Sequence, residues 1–457
     1  MACSEQEIGY TKGDLCVTIP PLRSSVLSAA EHVGPRQLIF KDLSTVLPSF
    51  EALKGTGFVP SAIDDSLILS DVTFPELPAD ILVAQANFVQ GGCILATNFN
   101  HCCLDGIGVM VALQVWAESC RYVQGDLTAT CSWFDPESFN HSLPEIIYER
   151  EGYSRPGEEV DPGVWGFLPF VPPDDYPHPI LNDTYTLHHT DERKLPPPPP
   201  LPLRTKWPLD PHPDRMKTTQ FLISSGSLRE LQDEVMADPE AKGVITSVSD
   251  IVQAFFWRSA IRARYQVATQ LRGESFGPDD MSILELPVDG RPYFSSLLPS
   301  TYMGSMLVMN RATMPVETLC SPHTSIGKIA FVLREAAARI TPSLIHDAFT
   351  ILQSLPDHSR FSTANMGLDH MHAMISNLML FQTDVISFGD GIFGDGGSPL
   401  AMRPLIDRGN ARFRFLVIFP MRADGGVELV FGTRPEELEM FRTDEEFTRY
   451  AKLVDTC

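Results

Sequence analysis

The chain has 457 residues, of which 43% are hydrophobic and 20% charged, and its formal net charge is -23 at pH 7. This length and apolar content allow two or three domains with substantial cores and exclude the composition of a disordered protein. The negative charge repels phosphate backbones and anionic lipid headgroups, which excludes nucleic acids and membrane surfaces as general partners. An anionic ligand would need a local basic patch.

The termini and cysteines indicate the cellular compartment. Residues 1–14 lack the positive and apolar regions of a secretory signal, and no later stretch approaches the ~18 apolar residues of a membrane span. Nine cysteines are scattered along the chain, which favours free thiols in a reducing compartment over a disulfide framework. We therefore expect a cytoplasmic location.

Strand-like and helix-like segments alternate along the chain without an internal repeat, which predicts a mixed α/β fold. The first half contains a predicted strand from Val83 to Asn100 and a predicted helix from Ile107 to Arg121. In the second half, we predict helices at Ser247–Arg264, Ile326–Ile340 and Glu445–Val454, and strands at Phe413–Phe419 and Val427–Phe431.

The middle of the chain is rich in proline. The run from Pro196 to Pro200 cannot form a helix or a central strand and favours an extended polyproline II path. We interpret this region as a crossover between two halves.

The stretch HCCLDG at residues 101–106 lies where the predicted strand ends and the helix begins, a common place for a catalytic side chain. A hydroxyl group is a poor nucleophile at neutral pH, and the His101 imidazole could remove its proton. The simpler alternative is that His101 is a polar residue at a strand end and Asp105 caps the next helix.

Other patterns are weaker. Residues 389–394 match the dinucleotide fingerprint GxGxxG, but loop-forming residues follow where a helix must begin. Cys102 and Cys103 are adjacent, without a second cysteine pair, and His370 and His372 lack a third ligand, so no metal site is predicted. No GxSxG occurs, which removes the usual serine-hydrolase signature.

HCCLDG resembles the HxxxDG motif of the BAHD acyltransferase superfamily, and the residues around it resemble the fungal trichothecene 3-O-acetyltransferase-like branch. The likeness covers nearly the whole chain. Further segments that carry it are LPVDGRPYF at 286–294, with the family's Asp-x-Arg strand, LPSTYMGSMLV at 298–308, and the helix SVSDIVQAFFWRSAIRAR at 247–264.

The resemblance implies two similar chloramphenicol-acetyltransferase-like lobes with mixed sheets and a central channel. Their expected bounds are residues 1–190 for the N-terminal lobe with HCCLDG, 191–217 for the proline-rich crossover and 218–457 for the C-terminal lobe. It also implies that His101 is the general base, whereas Asp105 pairs with Arg291 and, with Gly106, supports the site.

The implied activity is transfer of an acyl group, expected to be acetyl, from acyl-CoA to a hydroxyl of a terpenoid or polyketide secondary metabolite. Acyl-CoA is then a co-substrate, and we expect a monomer with no tightly bound cofactor or metal. The family's Asp-Phe-Gly-Trp-Gly signature is altered to SFGDG at Ser387–Gly391. That departure motivates an alternative hypothesis, a cyclase or hydrolase of the same fold that acts without CoA.

Three residues of the helix at 247–264 are candidate contacts for the phosphates of CoA, because arginine binds phosphate well and the protein is otherwise acidic. They are Ser247, Arg258 and Arg262. Each has a simpler interpretation: Ser247 as a helix cap and the arginines as members of ordinary ion pairs.

Overall fold

The structure is a computed structural model that describes residues 38–68, 81–101, 103–167, 216–239, 247–354, 371–403 and 415–457. The strands are β1 Leu38–Asp42, β2 Leu82–Val89, β3 Gly92–Phe99, β4 Lys217–Ile223, β5 Met281–Asp289, β6 Leu307–Pro315, β7 Ala373–Asn377, β8 Phe415–Ile418, β9 Val427–Thr433 and β10 Ala451–Thr456. The helices are α1 Phe50–Gly55, α2 Asp65–Ile68, α3 Gly106–Val123, α4 Leu143–Arg150, α5 Ser225–Ala237, α6 Val248–Gln266, α7 Arg291–Phe294, α8 Val316–Cys320, α9 Ile326–Ala338, α10 Pro342–Ser354, α11 Pro435–Thr443 and α12 Glu445–Tyr450.

Among the described residues, the strands form two sheets. A three-stranded sheet has the order β1-β2-β3, and a seven-stranded sheet has the order β10-β4-β9-β8-β7-β5-β6. Parallel pairs, such as β5 with β7, occur beside antiparallel pairs, such as β5 with β6. The predicted mixed α/β fold is therefore confirmed.

The continuous strand predicted from Val83 to Asn100 is wrong: β2 and β3 form an antiparallel hairpin in which Leu82 pairs with Phe99. The chain reverses at Gly91, whose φ of 83° favours glycine. Apolar residues continue through both strands, so the hydrophobic pattern conceals the turn. Gly92 is also sterically required, because a Cβ there would lie 2.2 Å from the ring of Phe50.

Helix α3 matches the predicted helix closely and shares a hydrophobic cluster with β3. Leu95 of β3 and Met110, Leu113 and Trp116 of the helix all pack against the buried residues Ala117, Ile386 and Phe388. The same hydrophobic spacing that predicted the helix thus describes the face that contacts the sheet. This packing fixes the direction in which the chain leaves β3 and enters α3.

Helix α6 forms the centre of the second half. Its aromatic residues Phe255, Phe256 and Trp257 are fully buried between the seven-stranded sheet and the helices around it. The indole nitrogen of Trp257 donates a hydrogen bond to Ser282 Oγ of β5 at 3.0 Å. No face of this helix is exposed to water between residues 250 and 264, so apolar side chains can occur all around it.

The helix predicted from Glu445 to Val454 is half wrong. Helix α12 ends at Tyr450, and residues 451–456 form β10, which pairs with β4. Residues 451–456 form a strand because they pair with β4, which is distant in sequence. The local sequence does not indicate that pairing. The predicted crossover at 191–217 lies almost entirely outside the described residues. No helix in the described ranges has the length and apolarity needed to cross a membrane.

The buried guanidinium group of Arg403 connects the two halves of the chain. It donates to the carbonyl oxygens of Gly57 at 2.7 Å and Phe58 at 3.1 Å, both just after α1. It also lies 2.9 Å from a carboxylate oxygen of Glu428 in β9 and over the ring of Phe419. Burial lowers the pKa of Arg403, and the charge of Glu428 opposes that effect.

We expect Arg403→Met to lower the free energy of unfolding by about 1–3 kcal/mol, because two partly buried carbonyl groups lose their donor. Glu428 keeps Arg422 as a partner at 2.7 Å, so the loss stays below that of a fully broken pair. Arg442→Met removes an exposed pair with Glu439 and serves as the control, with a change below about 0.5 kcal/mol. Equal denaturation midpoints for the two variants would contradict this role.

Candidate active site

His101 lies in a tight turn between β3 and α3. The carbonyl oxygen of Asn100 accepts hydrogen bonds from the backbone nitrogens of Cys103 at 3.0 Å and Leu104 at 3.3 Å. The His101 side chain is exposed, and within the described part of the chain its imidazole has no hydrogen-bond partner. The imidazole is therefore free to meet a ligand, while the backbone of the turn that carries it is held.

Asp105 holds the other end of this turn and is completely buried, with 0% exposure. Its Oδ1 accepts the backbone N–H of Gly108 at 3.0 Å, which makes it the N-cap of α3. The same oxygen lies 2.9 Å from Nη2 of Arg291, and Oδ2 accepts the backbone N–H of Met306 at 3.0 Å. The capping interpretation and the ion-pair interpretation of Asp105 therefore hold together.

Arg291 uses its whole guanidinium group. Besides Asp105, it donates to a carboxylate oxygen of Asp289 at 2.7 Å and to the carbonyl oxygens of Tyr302 at 2.9 Å and Gly304 at 2.7 Å. Burial, the largest single effect, acts to lower the pKa of Arg291, but the bonds and charges of Asp105 and Asp289 together raise it. A planar group with several donors is needed here, and lysine could not replace it.

Arg291 and Asp105 together draw the segment after α7 onto the start of α3. Gly108 contacts this segment so closely that a Cβ there would lie 2.4 Å from the carbonyl oxygen of Met303. Tyr302 is buried beside Arg291, and burial raises the pKa of Tyr302 to about 12. The Tyr-x-Gly part of LPSTYMGSMLV thus supports the turn that carries His101.

Phe381 also lies at this site, and its position there could not be predicted from the sequence. The ring of Phe381, from the turn after β7, lies directly against Gly106, where a Cβ would be 2.6 Å from Cζ of the ring. Gly106 is the first residue of α3, so this ring covers the point where the helix begins. Nothing in the local sequence around Phe381 indicates that it meets a motif 275 residues earlier in the chain.

The altered signature at Ser387–Gly391 docks on the far end of α3. Phe388 packs edge-on against Trp116 at 5.9 Å, and Gln124 donates to the carbonyl oxygen of Phe388 at 2.7 Å. Gln124 also accepts the backbone N–H of Gly391 at 2.9 Å. Since α3 has 18 residues, that end lies about 27 Å from its start, so SFGDG supports the helix at a distance from His101.

Arg258 and Arg262, the predicted contacts for CoA, have partners within the protein. Arg262 binds Asp444 through two donors at 2.6 and 2.7 Å. Arg258 is buried, donates to the carbonyl oxygens of Thr324 and Ser321 and pairs with Glu446 at 3.1 Å. Their donors join α6 to its neighbours, and contact with the phosphates of CoA stays a prediction for both arginines.

Ser247 is the N-cap of α6 and not a free hydroxyl. Its Oγ accepts the backbone N–H of Asp250 at 3.1 Å, and the Asp250 carboxylate accepts the backbone N–H of Ser247 at 2.9 Å. This reciprocal pair is a capping box, which satisfies two N–H groups at the start of the helix. The simpler interpretation of Ser247 accounts for both of these hydrogen bonds.

The structure does not support the dinucleotide-binding pattern at residues 389–394 or a metal site at His372 or Cys103. No helix follows the glycines at 389–394; a short 3-10 turn at Asp395–Gly397 stands there. His372 Nδ1 accepts the backbone N–H of Ile283 at 3.1 Å, and Cys103 is buried. Across the described ranges, no group of three or more His, Cys, Asp or Glu residues could hold a metal ion.

Comparison with known proteins defines the class. Residues 200–448 match the Transferase family, and residues 13–120 match the trichothecene 3-O-acetyltransferase-like N-terminal domain. The chain therefore belongs to the Transferase family.

Individual relatives differ in identity and in length. The chain is 60% identical to the isocyanide synthase-NRPS hybrid crmA of Aspergillus fumigatus over 456 residues, which are 100% of this chain but 28% of that protein. It covers 46% of the enoyl-CoA isomerase/hydratase claC of Penicillium crustosum at 23% identity. The chain thus spans less than half of these two relatives.

Other relatives match the chain over most of their length. The eremophilane O-acetyltransferase ORF8 of Penicillium roqueforti is 25% identical over 98% of this chain and 86% of its own. The crystal structure of TRI101 from F. graminearum, complexed with coenzyme A and deoxynivalenol, superposes with a TM-score of 0.68 at 20% identity over 92% of this chain and 82% of that one. That superposition supports the fold.

The role of Ser247 as the N-cap of α6 can be tested by substitution. We expect Ser247→Ala to lower the free energy of unfolding by about 1 kcal/mol and Ser247→Asn to preserve it, because asparagine caps as well as serine. Ser224→Ala, at the N-cap of α5, is the matched control and should behave like Ser247→Ala. Chemical denaturation measures all three, and equal losses in the Ala and Asn variants would contradict the cap.

The Asp105–Arg291 pair gives a second test. We expect Arg291→Ala to lower the free energy of unfolding by about 3–5 kcal/mol, because it leaves the buried Asp105 carboxylate without its charged partner. Asp105→Ala should cost less, because Arg291 keeps Asp289 as an ion-pair partner at 2.7 Å. The double variant should cost clearly less than the sum of the single ones, since the two residues share one network. Strict additivity in a double-mutant cycle of urea denaturation would show that the pair is not coupled.

Proposed function

We propose that the chain is an acyl-CoA-dependent O-acyltransferase in which His101 acts as the general base. The observation that carries the proposal is an exposed imidazole, without a partner in the described part of the chain, on a turn whose backbone is held by the buried Asp105–Arg291 pair. Membership of the Transferase family supports the reaction class.

His101 would remove the proton of the acceptor hydroxyl as the oxygen attacks the carbonyl carbon of the thioester. The resulting tetrahedral intermediate collapses when its bond to sulfur breaks, and the departing thiolate takes the proton back from the imidazolium. The acyl group thus passes directly to the alcohol, and no acyl-enzyme is needed. One histidine serves as base and then as acid, because an imidazole can both accept and donate a proton.

Asp105 has a positioning role in this mechanism. Its carboxylate accepts hydrogen bonds from Gly108, Arg291 and Met306, and the residue is completely buried, so the carboxylate is not exposed to a substrate. We propose that it holds the turn, together with Arg291 and Gly106, so that the imidazole keeps one orientation. Small displacements of a general base reduce its efficiency steeply, which is why such support matters.

The acceptor we propose is a hydroxyl group of a fungal secondary metabolite, terpenoid or polyketide, and the acyl group acetyl. The names of several relatives support this, among them the eremophilane O-acetyltransferase and TRI101, the latter a trichothecene 3-O-acetyltransferase. The lobes at 1–190 and 218–457 with a channel between them, the cytoplasmic location and the monomeric state stay predictions from the sequence.

A second candidate is favoured by one comparison. The relative with 60% identity is a hybrid synthetase of which this chain matches 28%, so the activity could be one that does not use free CoA. Titration of the purified protein with acetyl-CoA by calorimetry distinguishes the candidates. Binding at micromolar to millimolar ligand favours acyl transfer from CoA, and no heat at millimolar ligand favours the alternative.

We expect His101→Ala to reduce the rate of CoA release, measured with a thiol reagent in the presence of acetyl-CoA and an acceptor alcohol, by about 10²–10⁴-fold. Its thermal unfolding should be unchanged, because the imidazole is exposed and makes no hydrogen bond to the described residues. His323→Ala removes another exposed imidazole, in the turn before α9, and is the matched control. Full activity of a folded His101→Ala protein would overturn the proposed role.

A further inference from the structure

The turn that follows β7, residues Leu378–Phe381, is firmly held although two of its side chains reach the surface of the site. The backbone nitrogen of Leu378 donates to the carbonyl oxygen of Ile418 in β8 at 2.8 Å, and that of Phe381 donates to the carbonyl oxygen of Leu378 at 2.9 Å. The turn is therefore closed on itself and hydrogen-bonded to the seven-stranded sheet.

The side chain of Asn377 adds a second anchor at the start of this turn. Its Oδ1 accepts the backbone N–H of Met379 at 3.0 Å, and its amide donates to Ser249 Oγ at the start of α6 at 2.6 Å. Met379 itself packs against the main hydrophobic core. With the backbone and the flanking side chains fixed, the ring of Phe381 has a defined place.

That place is the first turn of α3. The ring lies against Gly106, the residue at which only glycine leaves room for it. His101 is five residues earlier, a stretch of at most about 18 Å even if extended, and the tight turn at Asn100 makes the separation shorter. Leu380, next to the ring, is 81% exposed. Phe381 is half-buried, so the turn presents one exposed and one half-buried apolar side chain near the candidate base. Apolar side chains on a held turn near a reactive group are typical of a binding surface.

We propose that Phe381 and Leu380 form an apolar wall beside His101 that binds the acceptor alcohol and selects acceptors with apolar surface next to the reacting hydroxyl. This inference rests on the proposed acyl transfer for its choice of ligand. The wall suits the acceptor better than an acetyl group, because Leu380 extends it well beyond the span of a two-carbon acyl chain. Burial of the acceptor's apolar surface would then orient its hydroxyl toward the imidazole.

Transfer of acetyl groups from acetyl-CoA to 1-butanol and 1-octanol tests the wall. We expect the wild-type protein to prefer 1-octanol in kcat/KM, and Phe381→Ala to reduce that preference at least about tenfold, as expected when a hydrophobic contact with several methylene groups is lost. Phe381→Leu should retain most of the preference. Gly106→Ala, which displaces the ring, should reduce the preference with Phe381 still present.

Two controls make the result specific. Phe40→Ala removes an exposed ring of β1 and should leave the preference unchanged. The ratio of hexanoyl-CoA to acetyl-CoA, measured with 1-butanol, should be the same in the wild type and in Phe381→Ala. If Phe381→Ala instead changes the donor ratio and leaves the acceptor preference intact, the wall binds the acyl chain and the proposal is overturned.

A binding measurement separates this inference from the proposed function. Fluorescence of 6-(dansylamino)hexan-1-ol, titrated without any acyl donor, reports binding alone. If the wild type binds the probe, Phe381→Ala weakens binding and no variant transfers acetyl groups, then the wall stands and acyl transfer fails. If the wild type neither binds the probe nor acetylates either alcohol, or if Phe381→Ala changes neither readout, the wall is overturned.

Discussion

The structure of the site depends on a buried ion pair. Asp105 has no access to water, and a carboxylate in that position is tolerable only because Arg291 and two backbone N–H groups surround it. The pair begins helix α3 and draws the 302–306 segment onto that helix. The imidazole of His101 can stay exposed, without a partner among the described residues, because Asp105 and the backbone bonds to Asn100 hold the turn.

Such a division of labour explains why a single motif can be both catalytic and structural. Stability requires that every buried polar group be satisfied, whereas a general base must keep its nitrogen available for a substrate. Within HCCLDG, the two demands fall on residues four positions apart, one exposed and one buried. The simpler interpretation of Asp105 as a helix cap describes half of its role, since the same oxygen accepts both the capping N–H and the guanidinium group.

Sequence predicted what depends on local patterns and on motifs. Helix α3, the helix begun by Ser247 and the mixed fold follow from hydrophobic spacing and capping residues. Features set by contacts between distant parts of the chain were missed: the hairpin turn at Gly91, the strand β10 that pairs with β4, and the Phe381 ring on Gly106. The ion pairs of Arg258 with Glu446 and of Arg262 with Asp444 belong to the same group, because a sequence shows basic residues without the carboxylates that lie opposite them.

The altered signature at Ser387–Gly391 is held by one ring and two main-chain groups. Phe388 packs on Trp116, and Gln124 contacts the carbonyl oxygen of Phe388 and the N–H of Gly391, groups that every residue type supplies, while the side chain of Asp390 is exposed. A segment held in this way can exchange its exposed side chain and keep its docking. The identity of residue 390 is therefore a poor marker of the chemistry at the other end of α3.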